Sequence, residues 1–128
     1  YNVVGDKTID FLTNDLDKDN YDIVVSNPPY ERIRSYKKRK TNLKYRCIKK
    51  LLDNDKPFII LINSTNTFQK WYKELVIGKD IKFIFTSKKI NYDKYEEGGI
   101  KKIEQKKNAC SFNAIYMTYK ILDKNEWI

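Results

Sequence analysis

The chain has 128 residues, with 26 Lys plus Arg against 17 Asp plus Glu and no His, giving a formal charge of +9 and a pI near 9.4. That length accommodates one domain with a genuine core and excludes two, and the charge suits a polyanion such as nucleic acid. No apolar run approaches a membrane span or a secretory signal, and Cys47 and Cys110 lack paired spacing or His partners; an intracellular, cytoplasmic protein with reduced thiols and no zinc site is expected.

Met117 is the only methionine, so residue 1 is not read as a translation start and the chain is expected to be a piece of something longer. The first element comes at residues 22–26. The run DIVVS is β-branched and apolar at its centre, bounded by Asn20 before and two prolines after, which predicts a buried, parallel strand. Residues 32–50 then hold ten basic side chains and no acidic one. Within that stretch the pattern predicts a helix over residues 42–53. Leu43, Cys47, Ile48, Leu51 and Leu52 form its apolar face, opposite Lys44, Arg46, Lys49 and Lys50.

A second strand is predicted over residues 57–62 (PFIILI) and a third over 81–86 (IKFIFT). Between them Phe68, Trp71, Tyr72, Leu75 and Val76 recur at helical spacing, with Asn66 as N-cap, Gln69 three residues on, and Gly78 closing the far end. Trp71 and Tyr72 are read as core side chains. Residues 87–108 are polar, Lys-rich and aperiodic, with Gly98 and Gly99, and are expected to form a loop in which Tyr92 and Tyr95 can reach nucleic acid. A last strand within residues 111–121 is expected to return antiparallel. The alternation of strands and helices predicts an α/β sheet with right-handed crossovers and both faces covered.

The chemistry concentrates where the first strand ends, in Asn27, Pro28, Pro29 and Tyr30. In open α/β sheets ligands gather beyond the carboxyl ends of the strands. Two consecutive prolines fix φ and remove two backbone donors, which leaves rigid acceptors. The Asn27 side-chain carbonyl, the Pro28 carbonyl and the ring of Tyr30 together suit a planar amine that donates two hydrogen bonds and stacks on an aromatic. Adenine carries such a group. Holding both amino hydrogens draws the nitrogen from planar towards tetrahedral and frees its lone pair to attack an electrophile.

A strand ending in this way, YDIVVSNPPY, resembles the amino-methyltransferases that use S-adenosylmethionine, above all the N6-adenine DNA methyltransferases. The resemblance implies direct transfer of the sulfonium methyl to the exocyclic amine of an extruded adenine, with Asn27, Pro28, Pro29 and Tyr30 as the catalytic set. Extrusion costs a few kcal/mol, and stacking on Tyr30 returns about 1–3 kcal/mol. Upstream, DFL places Asp10 and Phe11 17 positions before Asn27. By the same resemblance Asp10 hydrogen-bonds the cofactor's adenine amine and Phe11 lies along its ring. The order of elements is similar to the second half of a Rossmann-like class I methyltransferase sheet, mostly parallel, with an antiparallel last strand inserted between two neighbours.

Residues 1–128 are thus expected to form a partial methyltransferase catalytic domain. The family's glycine-rich turn has no counterpart around Gly5, Gly78, Gly98 or Gly99. An upstream part of the same chain, or a partner subunit, is therefore expected to complete the cofactor site. Arg32, Arg34, Lys37, Lys38 and Arg39 come directly after the motif and are the candidates for phosphate contacts on nucleic acid, with double-stranded DNA the expected partner and no membrane. The same motif is similar to those of guanine-N2 ribosomal RNA methyltransferases and release-factor glutamine methyltransferases, whose substrates also present a planar amine. A non-catalytic, degenerate methyltransferase module that binds nucleic acid is the further alternative.

Overall fold

The computed structural model describes residues 21–28, 43–91, 94–95, 102–103 and 113–128. Along these, β1 (Val24–Ser26) leads to α1 (Leu43–Asn54), β2 (Phe58–Asn63), a 3-10 segment (Ser64–Phe68), α2 (Lys70–Val76) and β3 (Ile81–Phe85). Two short strands come next, β4 (Lys94–Tyr95) and β5 (Lys102–Ile103), then β6 (Ala114–Tyr119) and β7 (Glu126–Trp127). The five-stranded sheet has the order β1-β2-β6-β3-β7, and β4 pairs antiparallel with β5 in a separate two-stranded ladder.

The protein is α/β, as its alternating apolar runs predict, but its sheet is mixed where a mostly parallel one was expected. β1 pairs parallel with β2 and β3 with β7, whereas β6 is antiparallel to both β2 and β3. The cause is the insertion itself. One reversed strand between two co-directional neighbours turns both of its own ladders antiparallel. β6 can occupy that central place because its residues are buried at every position except Tyr116, which is half-buried.

Alternation along the strands puts Phe58, Ile60 and Ile62 of β2 on one face with Ile115, Met117 and Tyr119 of β6. Ile48, Leu51 and Leu52 of α1 and Tyr72 of α2 close over that same face, with Val24, Phe83 and Phe85 at its margins. Both helices therefore lie on one side, and the expected cover on two faces is not found among the described residues. On the other side Val25 is 73% exposed. β1 was expected to be buried. It is paired only to β2 among the described residues, so its pleat gives one half-buried side chain, Val24, between exposed Ile23 and Val25.

α1 matches its predicted span and buries all five residues assigned to its apolar face. It ends at Asp55, whose φ of 54° is left-handed and whose N–H donates to the Leu52 carbonyl at 3.0 Å. The second helix departs from the sequence pattern. The chain leaves β2 in a tight 3-10 turn, becomes extended at Gln69, and only then enters α2. That break takes Phe68 off the helical face and leaves it 87% exposed, while Trp71, Leu75 and Val76 pack at the edge of the core around buried Tyr72. Trp71 also stands edge-on to Tyr45 of α1 at 6.1 Å, which ties the two helices together. Gly78 closes α2 as predicted, at φ 73°.

The sequence pattern shows no counterpart of β4, β5 or β7. β7 is held by its parallel ladder to β3, extended by the Ile128 N–H donating to the Phe85 carbonyl at 2.8 Å, and by side chains: the Trp127 ring stacks on Phe85 at 4.5 Å, and the Phe83 N–H donates to the Asn125 side-chain carbonyl at 2.9 Å. No helix among the described residues is long and apolar enough to cross a membrane.

Candidate functional site

Because β1 and β2 are parallel neighbours, with Ser26 opposite Ile60, their carboxyl ends open on the same edge of the sheet. Asn27 leaves β1 at that edge. It is exposed, and its side chain makes no hydrogen bond within the described residues, while Pro28 beside it is buried. The local cause lies in the sequence. Pro28 has no N–H to extend a ladder, so strand pairing stops at Ser26 and the next side chain is presented outward. The start of β1 is pinned from below: the Val24 N–H donates to the Pro57 carbonyl at 3.1 Å and Asn54 Nδ2 donates to the Tyr21 hydroxyl at 3.0 Å.

β2 runs three residues past the Ser26–Ile60 row, and the turn that ends it is again polar: Asn63, Ser64, Thr65, Asn66 and Thr67. Asn63 Oδ1 accepts from the Thr65 N–H at 3.0 Å and from Thr65 Oγ1 at 2.9 Å. Thr67 Oγ1 donates to the Ser64 carbonyl at 2.7 Å, and the Ser64 N–H donates to the carbonyl of Asn113, at the head of β6, at 2.8 Å. Asn63 is thus the capping side chain of this turn, and the N-cap of α2 is Gln69, which makes no side-chain cap hydrogen bond, not the expected Asn66. Asn66 gives its main-chain carbonyl to the Gln69 N–H at 3.1 Å and keeps a buried Nδ2 with no hydrogen-bond partner among the described residues. An unmet buried amide donor costs about 1–3 kcal/mol.

The opposite end of the same strands is built differently. Lys120 Nζ pairs with Asp55 Oδ1 at 2.7 Å, and the Tyr119 hydroxyl donates to the same oxygen. The Lys120 ammonium and the Tyr119 hydroxyl hold the Asp55 carboxyl below the usual carboxylate range, and Asp55 in turn raises both partners above their ordinary values. Lys120, like Asp55, has a left-handed backbone, φ 55°. This cluster joins the end of α1 to the end of β6 and leaves no polar group of the three without a partner.

Of the residues assigned to function from sequence, Asn27 and Pro28 are brought to the carboxyl edge of the parallel pair. Pro29, Tyr30, Asp10, Phe11, Arg32, Arg34, Lys37, Lys38 and Arg39 lie outside the described residues. The part of the basic run that is described falls on α1, where burial draws the half-buried Lys44 below the usual lysine value and Lys49 pairs with Asp53 at 2.8 Å. The turn at residues 63–67 was missed as part of this edge. Its signal was present: a cluster of Asn, Ser and Thr directly after an apolar strand, in the same relation to β2 as Asn27 to β1. A scan against protein-family models and searches of curated proteins and of solved structures return no match for this chain.

Proposed function

We propose that the protein is an adenine-N6 DNA methyltransferase that uses S-adenosylmethionine. The observation that carries this reading is Asn27. It is an exposed acceptor side chain preceding a buried proline, at the carboxyl end of a strand with a parallel neighbour, within the sequence YDIVVSNPPY.

The Asn27 side-chain carbonyl and the Pro28 main-chain carbonyl accept the two amino hydrogens of a flipped adenine, and Tyr30 stacks on its ring. The chain's own part is to hold that amine pyramidal and aimed, so that positioning supplies much of the rate. The cofactor, when bound, supplies an electrophilic methyl on sulfur. Its methyl would pass to the amine nitrogen held by Asn27 and the Pro28 carbonyl, the nitrogen–carbon bond forming as the sulfur–carbon bond broke, and the amine would then release one proton to solvent. Asp10 and Phe11, the cofactor contacts implied by the resemblance, lie outside the described residues. An upstream part of the chain or a partner subunit completes that half of the site. The basic residues Arg32, Arg34, Lys37, Lys38 and Arg39 hold the phosphates that flank the extruded nucleotide.

The experiment is transfer of labelled methyl by the full-length protein, offered adenine-containing duplex DNA, structured RNA and a glutamine-bearing protein substrate in parallel. Label in N6-methyladenine of DNA is expected. Label only in RNA guanine or in glutamine overturns the adenine assignment, and DNA binding without any transfer replaces it with a non-catalytic module.

A further inference from the structure

Two buried polar atoms among the described residues have no hydrogen-bond partner: Nδ2 of Asn66 and the hydroxyl of Tyr72. Their settings differ. Tyr72 belongs to α2 and faces the apolar cluster between helices and sheet, where burial raises its hydroxyl far above the usual phenol value. Asn66 lies in the turn that leaves β2, on the edge where Asn27 leaves β1. It is only 9% exposed, and Asn63, Thr65 and Thr67 around it are all satisfied locally. The turn therefore holds itself together without Asn66's side-chain amide, whose Nδ2 has no partner among the described residues.

We propose that Asn66 is a specificity residue of the acceptor pocket, its Nδ2 donating to a ring nitrogen beside the exocyclic amine of the bound adenine. This inference rests on the methyltransferase reading above. The groups that hold the amine, Asn27 and the Pro28 carbonyl, are both acceptors, and acceptors alone grip any exocyclic amine. Adenine differs in offering ring nitrogens as acceptors on either side of that amine. A buried donor with no partner among the described residues gains a full hydrogen bond when such an acceptor arrives, and a base without one leaves it unpaired. The terminal torsion of an Asn side chain is soft, so the amide can turn outward to meet the base.

The test compares Asn66→Leu, Tyr72→Phe and parent in the full-length protein. Each substitution removes an unpaired buried polar group, so each is expected to raise the thermal midpoint or leave it unchanged. Tyr72→Phe is expected to retain parental methyl transfer. Asn66→Leu is expected to lose about 10–100-fold in kcat/KM on duplex DNA, the worth of one hydrogen bond that the base makes in the pocket. Duplexes carrying 1-deazaadenine or 7-deazaadenine then identify the contact. With one of the two, parent and Asn66→Leu should differ by less than about threefold, because the acceptor is already gone. Full activity of Asn66→Leu, or an undiminished difference on both analogues, overturns the inference while the methyltransferase reading stands. A parent protein that transfers no methyl to adenine overturns both.

Discussion

Both ends of the strands that pair with β2 carry polar residues, a charged cluster at one and amides and hydroxyls at the other, and the two are finished in opposite ways. At the amino end of β2, Asp55, Tyr119 and Lys120 satisfy one another, and two left-handed residues are held in place by the ion pair between them. At the carboxyl end, Asn27 stands exposed and Asn66 keeps a buried donor without a partner among the described residues. Polar groups that partner one another stabilise; polar groups left over cost stability and are the ones available to a ligand. The first end is thus where the fold is secured, and the second is where we place the chemistry.

The largest effect on this contrast comes from the secured end. Phe58 is fully buried beside Tyr119, ring centroids 5.3 Å apart, and Phe58→Ala removes that contact and leaves a cavity. Urea denaturation is expected to show a loss of about 3–5 kcal/mol. A loss under about 1 kcal/mol would mean that the core does not centre on β2 and β6.

Next in size is the electrostatic term of the basic run. Replacing Arg32, Arg34, Lys37, Lys38 and Arg39 together should weaken DNA binding equally across sequences. Each true phosphate contact removed reduces the salt slope of log K by about one. An unaltered slope contradicts their role at the phosphates.

The smallest effect is the pH response of the secured end. The Asp55 carboxyl is lowered in the folded protein, first by Lys120 and then by Tyr119. Its contribution is complete above the unfolded carboxylate value of about 4 and is lost as pH falls through the lower folded value. Lys120 and Tyr119 are raised by Asp55, so their contributions are complete below about pH 10 and are lost as pH rises through their folded values. Asp55→Asn should flatten both limbs of stability against pH. Limbs that run parallel to those of the parent would show that the cluster does not couple the ends of α1 and β6.

Much of this organisation was legible from local signals. The α1 face could be read because five apolar residues recur at one helical period, and β2, β3 and β6 because their apolar runs have no competing pattern. Asn27 was legible because a proline after a strand stops pairing whatever surrounds it. What failed depended on distance in the chain. The sequence pattern cannot show that both helices settle on one face, since an apolar run such as FIILI in β2 puts apolar side chains on both faces and suits cover on either side. Phe68 was misassigned because an extended residue, Gln69, interrupts an otherwise continuous period. β7 was missed because two residues carry no periodicity of their own, and the β3 ladder, the Phe85–Trp127 stack and the Asn125 side-chain contact that hold it are all made with residues distant in the chain.

The most direct test of the central claim is Asn27→Ala in the full-length protein, assayed for methyl transfer to duplex DNA alongside its stability and its nonspecific DNA affinity. An exposed side chain with no hydrogen bond among the described residues should cost less than about 0.5 kcal/mol in stability. Nonspecific affinity should hold. Transfer should fall by at least about 10²-fold, as when one preorganised group at a reacting centre is removed. Transfer equal to the parent's, from an equally stable protein, would contradict the assignment of Asn27 to the acceptor amine.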